Sequence, residues 1–267
     1  MANAALTRTS DLKPGDGYVQ SFARGLEVIR SFSADAPHQT LTGVAGRSGL
    51  SRAGARRILL TLQSLGYVHL EGKLFSLSPR ILDLGFAYLS SMPIWNLAEP
   101  VMETLVEEVK ESCSAAVLDG TDIVYVMRVS THKIMSITLS VGSRLPAYCT
   151  SMGRVLLAGL PEEQAMACLK ASRPEPLTRH TVTDLDLLRL KIAQTRKQGW
   201  CLVNQELEEG LVSMAAPIHD RLGRTVAALN ISGQANRTSA KVMQDAMLPP
   251  LLAAAQTISR MLSVQRA

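Results

Sequence analysis

The chain has 267 residues, enough for two domains, and 46% of them are hydrophobic, enough for a sizeable core in each. Its 19% charged residues exclude both a disordered polyelectrolyte and a coiled-coil rod. The formal net charge is +5, and residues 1–90, with ten basic and six acidic side chains, hold +4 of it. A basic front and a near-neutral remainder point to a polyanion at the front; the plainer alternative is a solvated basic face.

In chain order, residues 1–17, with Pro14, Gly15, Asp16 and Gly17, read as a mobile tail. Ser21 is placed to cap a helix over 22–33, with Leu26, Ile29 and Phe32 inward and Val28 flanking. Ala36-Pro37-His38-Gln39 breaks it. Thr40 or Thr42 caps a short helix that turns Leu41, Val44 and Ala45 inward and ends at Gly46 and Ser48-Gly49. Ser51 caps a longer helix over about 52–65.

On a 3.6-residue wheel, Ala55, Ile58, Leu59, Leu62 and Leu65 form one apolar stripe of that helix. Ala53, Arg56 and Arg57 lie opposite, with Arg52 at the edge. Small residues and arginines near the N-terminal end let a helix approach a DNA backbone and reach base edges. Four arginines and no acid fall between Asp35 and Glu71. Gly66 then ends the helix, and 67–70 and 74–77 read as two strands around a turn at Glu71-Gly72-Lys73. This is a winged helix-turn-helix over 18–78, with Lys73 at the wing tip facing phosphate.

Ser78-Pro79 starts an apolar helix over 79–93, read as a linker that also dimerises, or as a plain intradomain helix. Residues 94–267 alternate helices (97–111, 151–160, 161–171, 184–197, 238–264) with strands (115–118, 123–129, 134–139, 200–204, 212–219, 225–232). A loop over 140–149 interrupts them. The fold class is therefore α+β: a DNA-binding domain, a linker helix and an α/β sensor-like domain.

No GxSxG, HExxH, GxxxxGK[ST] or GxGxxG motif occurs, and neither the five histidines nor the four cysteines have metal spacing. No cofactor or metal is called for. Widely spaced cysteines fit a reducing cytoplasm, and no apolar stretch is long enough to span a membrane. Cys149, at a helix start, is the one imaginable nucleophile, with no histidine near it in sequence. The same run, through Thr150, Ser151, Met152 and Gly153, suits an anion pocket at a helix N-terminus; N-capping by Thr150 or Ser151 alone also explains it. An enzyme with a regulatory front, and a sensor acting through protein contacts, remain the competing readings.

The run Leu50-Ser51-Arg52-Ala53-Gly54-Ala55-Arg56-Arg57-Ile58-Leu59-Leu60-Thr61-Leu62, followed by Leu65-Gly66-Tyr67-Val68, resembles the helix-turn-helix of IclR-type transcription regulators. The resemblance continues through 145–158, 199–206, 210–217 and 228–233, in the same order. It implies a GAF-like effector domain, a homodimer or dimer of dimers on double-stranded, pseudo-palindromic operator DNA, and control by a small organic acid. DNA contacts are then expected at Thr40, Thr42, Ser51, Arg52, Ala53, Arg56, Arg57 and Lys73. Aligned with the family's ligand contacts, the effector residues are Ser151, Met152, Gly153, Val203, Ser213, Asn230 and Ser232. Val203 stands where the family can carry an acid, and Asn230 where it can carry a small hydroxyl, so the pocket departs from the glyoxylate/pyruvate type. The Arg144-Leu145-Pro146-Ala147-Tyr148-Cys149 approach is most similar to the β-ketoadipate-pathway branch, which governs breakdown of protocatechuate and related aromatic acids.

Overall fold

The computed structural model describes residues 17–90, 94–131 and 139–264, in two compact units divided after Ser90. The tail expected to be mobile lies outside the described residues as far as Asp16. No described helix is long and apolar enough to cross a membrane.

The first unit runs α1 (Gln20–Arg30), β1 (Gln39–Thr40), α2 (Leu41–Arg47), α3 (Arg52–Ser64), β2 (Val68–Glu71), β3 (Leu74–Leu77), a 3-10 turn (Pro79–Ile81) and α4 (Leu82–Ser90). Val28, Val44, Ala45, Ala55, Leu59, Leu62, Val68 and Phe75 form its core. Two expectations for α1 are corrected. The helix starts before Ser21, with Val19 at the cap and no side-chain cap bond. Its buried residue is Val28, whereas Leu26 is 42% exposed, so the inward stripe is rotated from the one drawn on the wheel. Leu65 likewise lies at the end of α3 and is 52% exposed.

The caps follow their residue chemistry. Thr40 Oγ1 accepts from the Gly43 N–H at 3.2 Å and Ser51 Oγ from the Gly54 N–H at 3.1 Å. Between them Gly49 sits at φ +66°, a left-handed geometry that suits glycine, and the chain turns there. β2 and β3 pair antiparallel from Val68↔Leu77 to Glu71↔Leu74, leaving Gly72-Lys73 as a two-residue turn. β1, not foreseen in the sequence, pairs with the far edge of β3. At the foot of this wing the Ser78 hydroxyl donates to the Gly66 carbonyl at 2.5 Å, and the Arg80 guanidinium lies 5.5 Å from the Tyr67 ring centre.

The second unit is a six-stranded antiparallel sheet, in the order β6-β5-β4-β9-β8-β7. It runs α5 (Ile94–Val109), β4 (Ser112–Asp119), β5 (Asp122–Val129), β6 (Arg144–Pro146), α6 (Ser151–Ala158), α7 (Glu162–Ser172), α8 (Leu185–Gln198), β7 (Cys201–Asn204), β8 (Leu211–His219), β9 (Thr225–Gln234), α9 (Ala240–Val242) and α10 (Leu248–Val264). One sheet face, with Cys113, Ala115, Met214, Ala216, Leu229 and Ile231 fully buried, is covered by α5 and α10. The other carries Ala116, Val203, Ala215 and Ala228 against α6, behind which α7 and α8 pack. Alternation along each strand divides the two faces.

Several boundaries differ from expectation. α5 stops at Val109 because Lys110 takes a left-handed φ of 57°, which frees Glu111 from the helix and starts β4 early, through Ser112, Cys113 and Ser114. The strand expected at 134–139 falls almost wholly outside the described residues. The 140–149 loop contains a short strand, β6, pinned to β5 by Arg144, which donates to Asp119 at 2.6 Å and Asp122 at 3.2 Å. The closing helix is interrupted by a π-helical turn over Met243–Met247. Pro249 and Pro250 follow and have no N–H to close the preceding α turn, so the ladder there widens.

Candidate DNA-binding face and effector cavity

In the first unit α3 separates its two roles by helical phase. Ala55, Leu59 and Leu62 are buried with Ile58 partly so, while Arg52, Ala53, Arg56 and Arg57 on the other side are exposed. Among the described residues none of these arginines is ion-paired. Thr40, Thr42 and Ser51 are exposed at the N-terminal ends of α2 and α3, and Lys73 is exposed at the wing tip. The Thr40 and Ser51 oxygens already accept cap bonds, which leaves each hydroxyl hydrogen free to be donated. The surface is thus a set of unneutralised cations and hydroxyl donors around one exposed helix, suited to phosphates and base edges.

In the second unit a cavity of about 500 Å³ of empty space, its mouth included, lies between the sheet and the start of α6. Strand register builds its floor. Asn230 faces both Ser114 and Ala215, and Ser114 faces Arg128; in the next row Ser232 faces both Ser112 and Ser213, and Ser213 faces Val203. Two rows of small polar groups therefore run across the concave face. Asn230 is fixed within its row, its Oδ1 accepting from the Ser114 N–H at 3.1 Å.

The wall is the 147–152 segment. Thr150, not Ser151, caps α6: its Oγ1 accepts from the Gly153 N–H and donates to the Pro146 carbonyl, both at 3.1 Å. Ser151 is the first helical residue, 1% exposed, and lines the cavity with Met152. The backbone N–H groups of these two have no intrahelical acceptor. Of the residues aligned with ligand contacts, Ser151, Met152, Val203, Ser213, Asn230 and Ser232 line this space. Gly153 is placed differently. A Cβ there would fall 2.2 Å from the Ala147 carbonyl oxygen, so it lets α6 press against the preceding turn.

The lining offers little for catalysis. Burial pushes the Cys149 thiol up to about 12 and the Tyr125 phenol up to about 12, with nearby arginines only partly opposing it, so both are neutral at physiological pH. No histidine or carboxylate is among the described lining residues. Among the described residues no cluster of His, Cys, Asp or Glu could hold a metal ion.

Two features escaped the sequence reading. Arg128 lines the cavity, its Nε donating to Ser130 Oγ at 3.1 Å and its Nη1 to Ser114 Oγ at 3.4 Å. A bulge in β5 puts it there. Tyr125 pairs with Ala116 and Met127 with Ala115, so Val126 is an extra residue and the strand's phase shifts. Without the bulge, strict alternation would put Tyr125 and Arg128 on opposite faces. The other is a buried ion pair behind the wall. Arg154, 1% exposed, donates to both oxygens of Glu206 at 2.7 and 2.5 Å, and its Nε donates to the Tyr148 carbonyl at 2.9 Å. Glu206 Oε2 also accepts from the Val182 N–H. The only sequence signal was charge inside an otherwise buried helix.

An exposed basic winged helix, joined in one chain to a cavity with no carboxylate among its described lining residues, defines a ligand-responsive transcription regulator. The chain belongs to the IclR family: residues 21–72 match the IclR helix-turn-helix domain, and residues 86–260 match the bacterial transcriptional regulator IclR C-terminal domain. It is 42% identical over 246 residues to the Pca regulon regulatory protein of Pseudomonas putida, covering 92% of this chain and 84% of that protein. The crystal structure of a transcriptional regulator from Rhodococcus sp. RHA1 superposes with a TM-score of 0.83 at 48% identity, over 92% of this chain and 98% of that one. A double mutant of the PobR inducer-binding domain from Acinetobacter, in complex with 3-hydroxybenzoic acid, gives 0.60 at 29% identity, over 62% of this chain and 98% of that domain. The protein is thus an IclR-type DNA-binding regulator with a small-molecule effector domain, in a family of regulators and not of enzymes.

Proposed function

We propose that this protein controls an aromatic-acid catabolic operon in the cytoplasm, and that a small organic acid in the second-unit cavity tunes its hold on operator DNA. The observation that carries this reading is the cavity: walled by apolar side chains, floored by hydroxyls and one amide, and without a carboxylate among its described lining residues. The Pca regulon relative and the hydroxybenzoate-bound PobR domain supply the substrate class. Ser151, Met152, Val203, Ser213, Asn230 and Ser232 contact the effector, and Gly153 shapes the wall.

On DNA, Arg52, Ala53, Arg56 and Arg57 meet the major groove. Thr40, Thr42 and Ser51 flank them, and Lys73 touches backbone. The working form is a homodimer or a dimer of dimers on a pseudo-palindromic site. In support, α4 exposes Leu82, Leu84 and Phe86 at 70, 52 and 67%, more apolar surface than a lone helix keeps in water. Residues 79–93 then serve as linker and self-association element.

The test is thermal unfolding with 3-hydroxybenzoate, 4-hydroxybenzoate, protocatechuate and β-ketoadipate. A ligand at 100 times its Kd adds about 2.7 kcal/mol to native stability, a melting shift of several degrees. No shift with any of the four acids, or a footprint that ignores all of them, would sink the reading.

A further inference from the structure

We propose that Arg128 is the group that binds the effector's carboxylate, which makes the β4–β5 end of the cavity its acid end. The inference rests on the reading of the cavity as an organic-acid site and adds which residue selects for the charge.

Four observations converge. Arg128 contributes the sole charge among the described lining residues. Its guanidinium is only partly exposed and makes no ion pair among the described residues; it donates to the hydroxyls of Ser114 and Ser130. Those two bonds use Nε and one N–H of Nη1, and leave the other Nη1 N–H and both of Nη2 without a partner among the described residues. Finally, the neighbouring groups cannot supply a compensating anion, since burial holds the Tyr125 phenol and the Cys149 thiol neutral.

A cation partly withdrawn from water is stabilised when an anion meets it. The bulge at Val126 is what turns it toward the cavity, alongside Tyr125. A planar guanidinium held by two side hydroxyls presents a preset fork, the geometry that grips a carboxylate. The two serines position the fork, and the Ser213–Ser232 row and Ser151 are left for the effector's neutral hydroxyls.

The experiment is calorimetric titration of the full chain with 3-hydroxybenzoate, 4-hydroxybenzoate and 3,4-dihydroxybenzoate, each beside its primary amide, on wild type, Arg128→Gln and Arg128→Lys. Charge-assisted bonding to Arg128 predicts that the wild type prefers acid over amide by roughly 10- to 100-fold. That preference collapses to within a few-fold in R128Q, while amide affinity falls much less. R128K retains the charge without the fork and gives an intermediate preference; it carries the test alone if R128Q does not fold. If a benzoate binds and both variants keep the full wild-type preference, the assignment to Arg128 is wrong and the effector reading stands. If none of these acids, nor β-ketoadipate titrated beside them, binds the wild type, the effector reading falls and the assignment with it.

Discussion

The two units hold arginines with no ion-pair partner among the described residues, in opposite surroundings. On α3 three arginines stand in water, where Coulomb attraction is weak and salt screens it over about 8–10 Å. In the cavity one partly buried Arg128 stands among apolar and hydroxyl groups, where the effective dielectric is lower and screening is poor. A surface that binds a polyanion therefore works by number and spacing. A cavity that binds a small acid works by a single well-placed fork. The DNA face should respond steeply to salt and mildly to any one substitution, and the cavity the reverse.

The largest effect concerns what keeps the cavity wall in place. Glu206→Ala strands the Arg154 guanidinium in a dry interior and should cost about 3–5 kcal/mol in chemical denaturation. A loss under 1 kcal/mol would mean that water reaches the pair and that the wall is neither dry nor fixed. Gly153→Ala comes next, at about 1–3 kcal/mol, because its Cβ would overlap the Ala147 carbonyl and push α6 off the turn. A variant melting like wild type would show that this backbone gives way freely.

On the other side of the comparison, the double variant Arg56→Ala/Arg57→Ala should weaken operator binding and flatten its salt dependence by about 0.9 per lost phosphate contact. Effector affinity measured in the same salt series should barely move. Equal slopes for DNA and effector would break the contrast between the units. Lys73→Ala, a single wing-tip charge, should change the slope by about one such step and leave sequence preference intact in competition gel shifts. The smallest expected signal is chemical: with its thiol held near 12, Cys149 should resist iodoacetamide at pH 8 by mass spectrometry, and rapid labelling would mean the wall opens.

The first unit was far more legible than the second. Thr40, Ser51, the Gly49 turn and the Gly72-Lys73 hairpin obey rules that span three or four residues, so a local pattern suffices. The site in the second unit depends on register between distant strands. Ser114 and Asn230 meet across 116 positions, and nothing near either residue announces the other. Family alignment supplied six of the lining residues, but Arg128 depends on one extra residue in a strand, which alternation alone assigns to the wrong face. Arg154 and Glu206 were hidden for a similar reason. Each looks like a surface charge until the two are found facing each other. In α1 the misjudged phase came from counting Leu26 as core where the smaller Val28 fills the space.

The Ser78 hydroxyl reaches back to the carbonyl that closes α3, and two residues further on Arg80 lies over the ring of Tyr67. The chain leaves this latch directly into α4. The reading helix, the wing and the turn that opens α4 are therefore tied at two points, so the chain leaves this unit from the very knot that joins helix to wing.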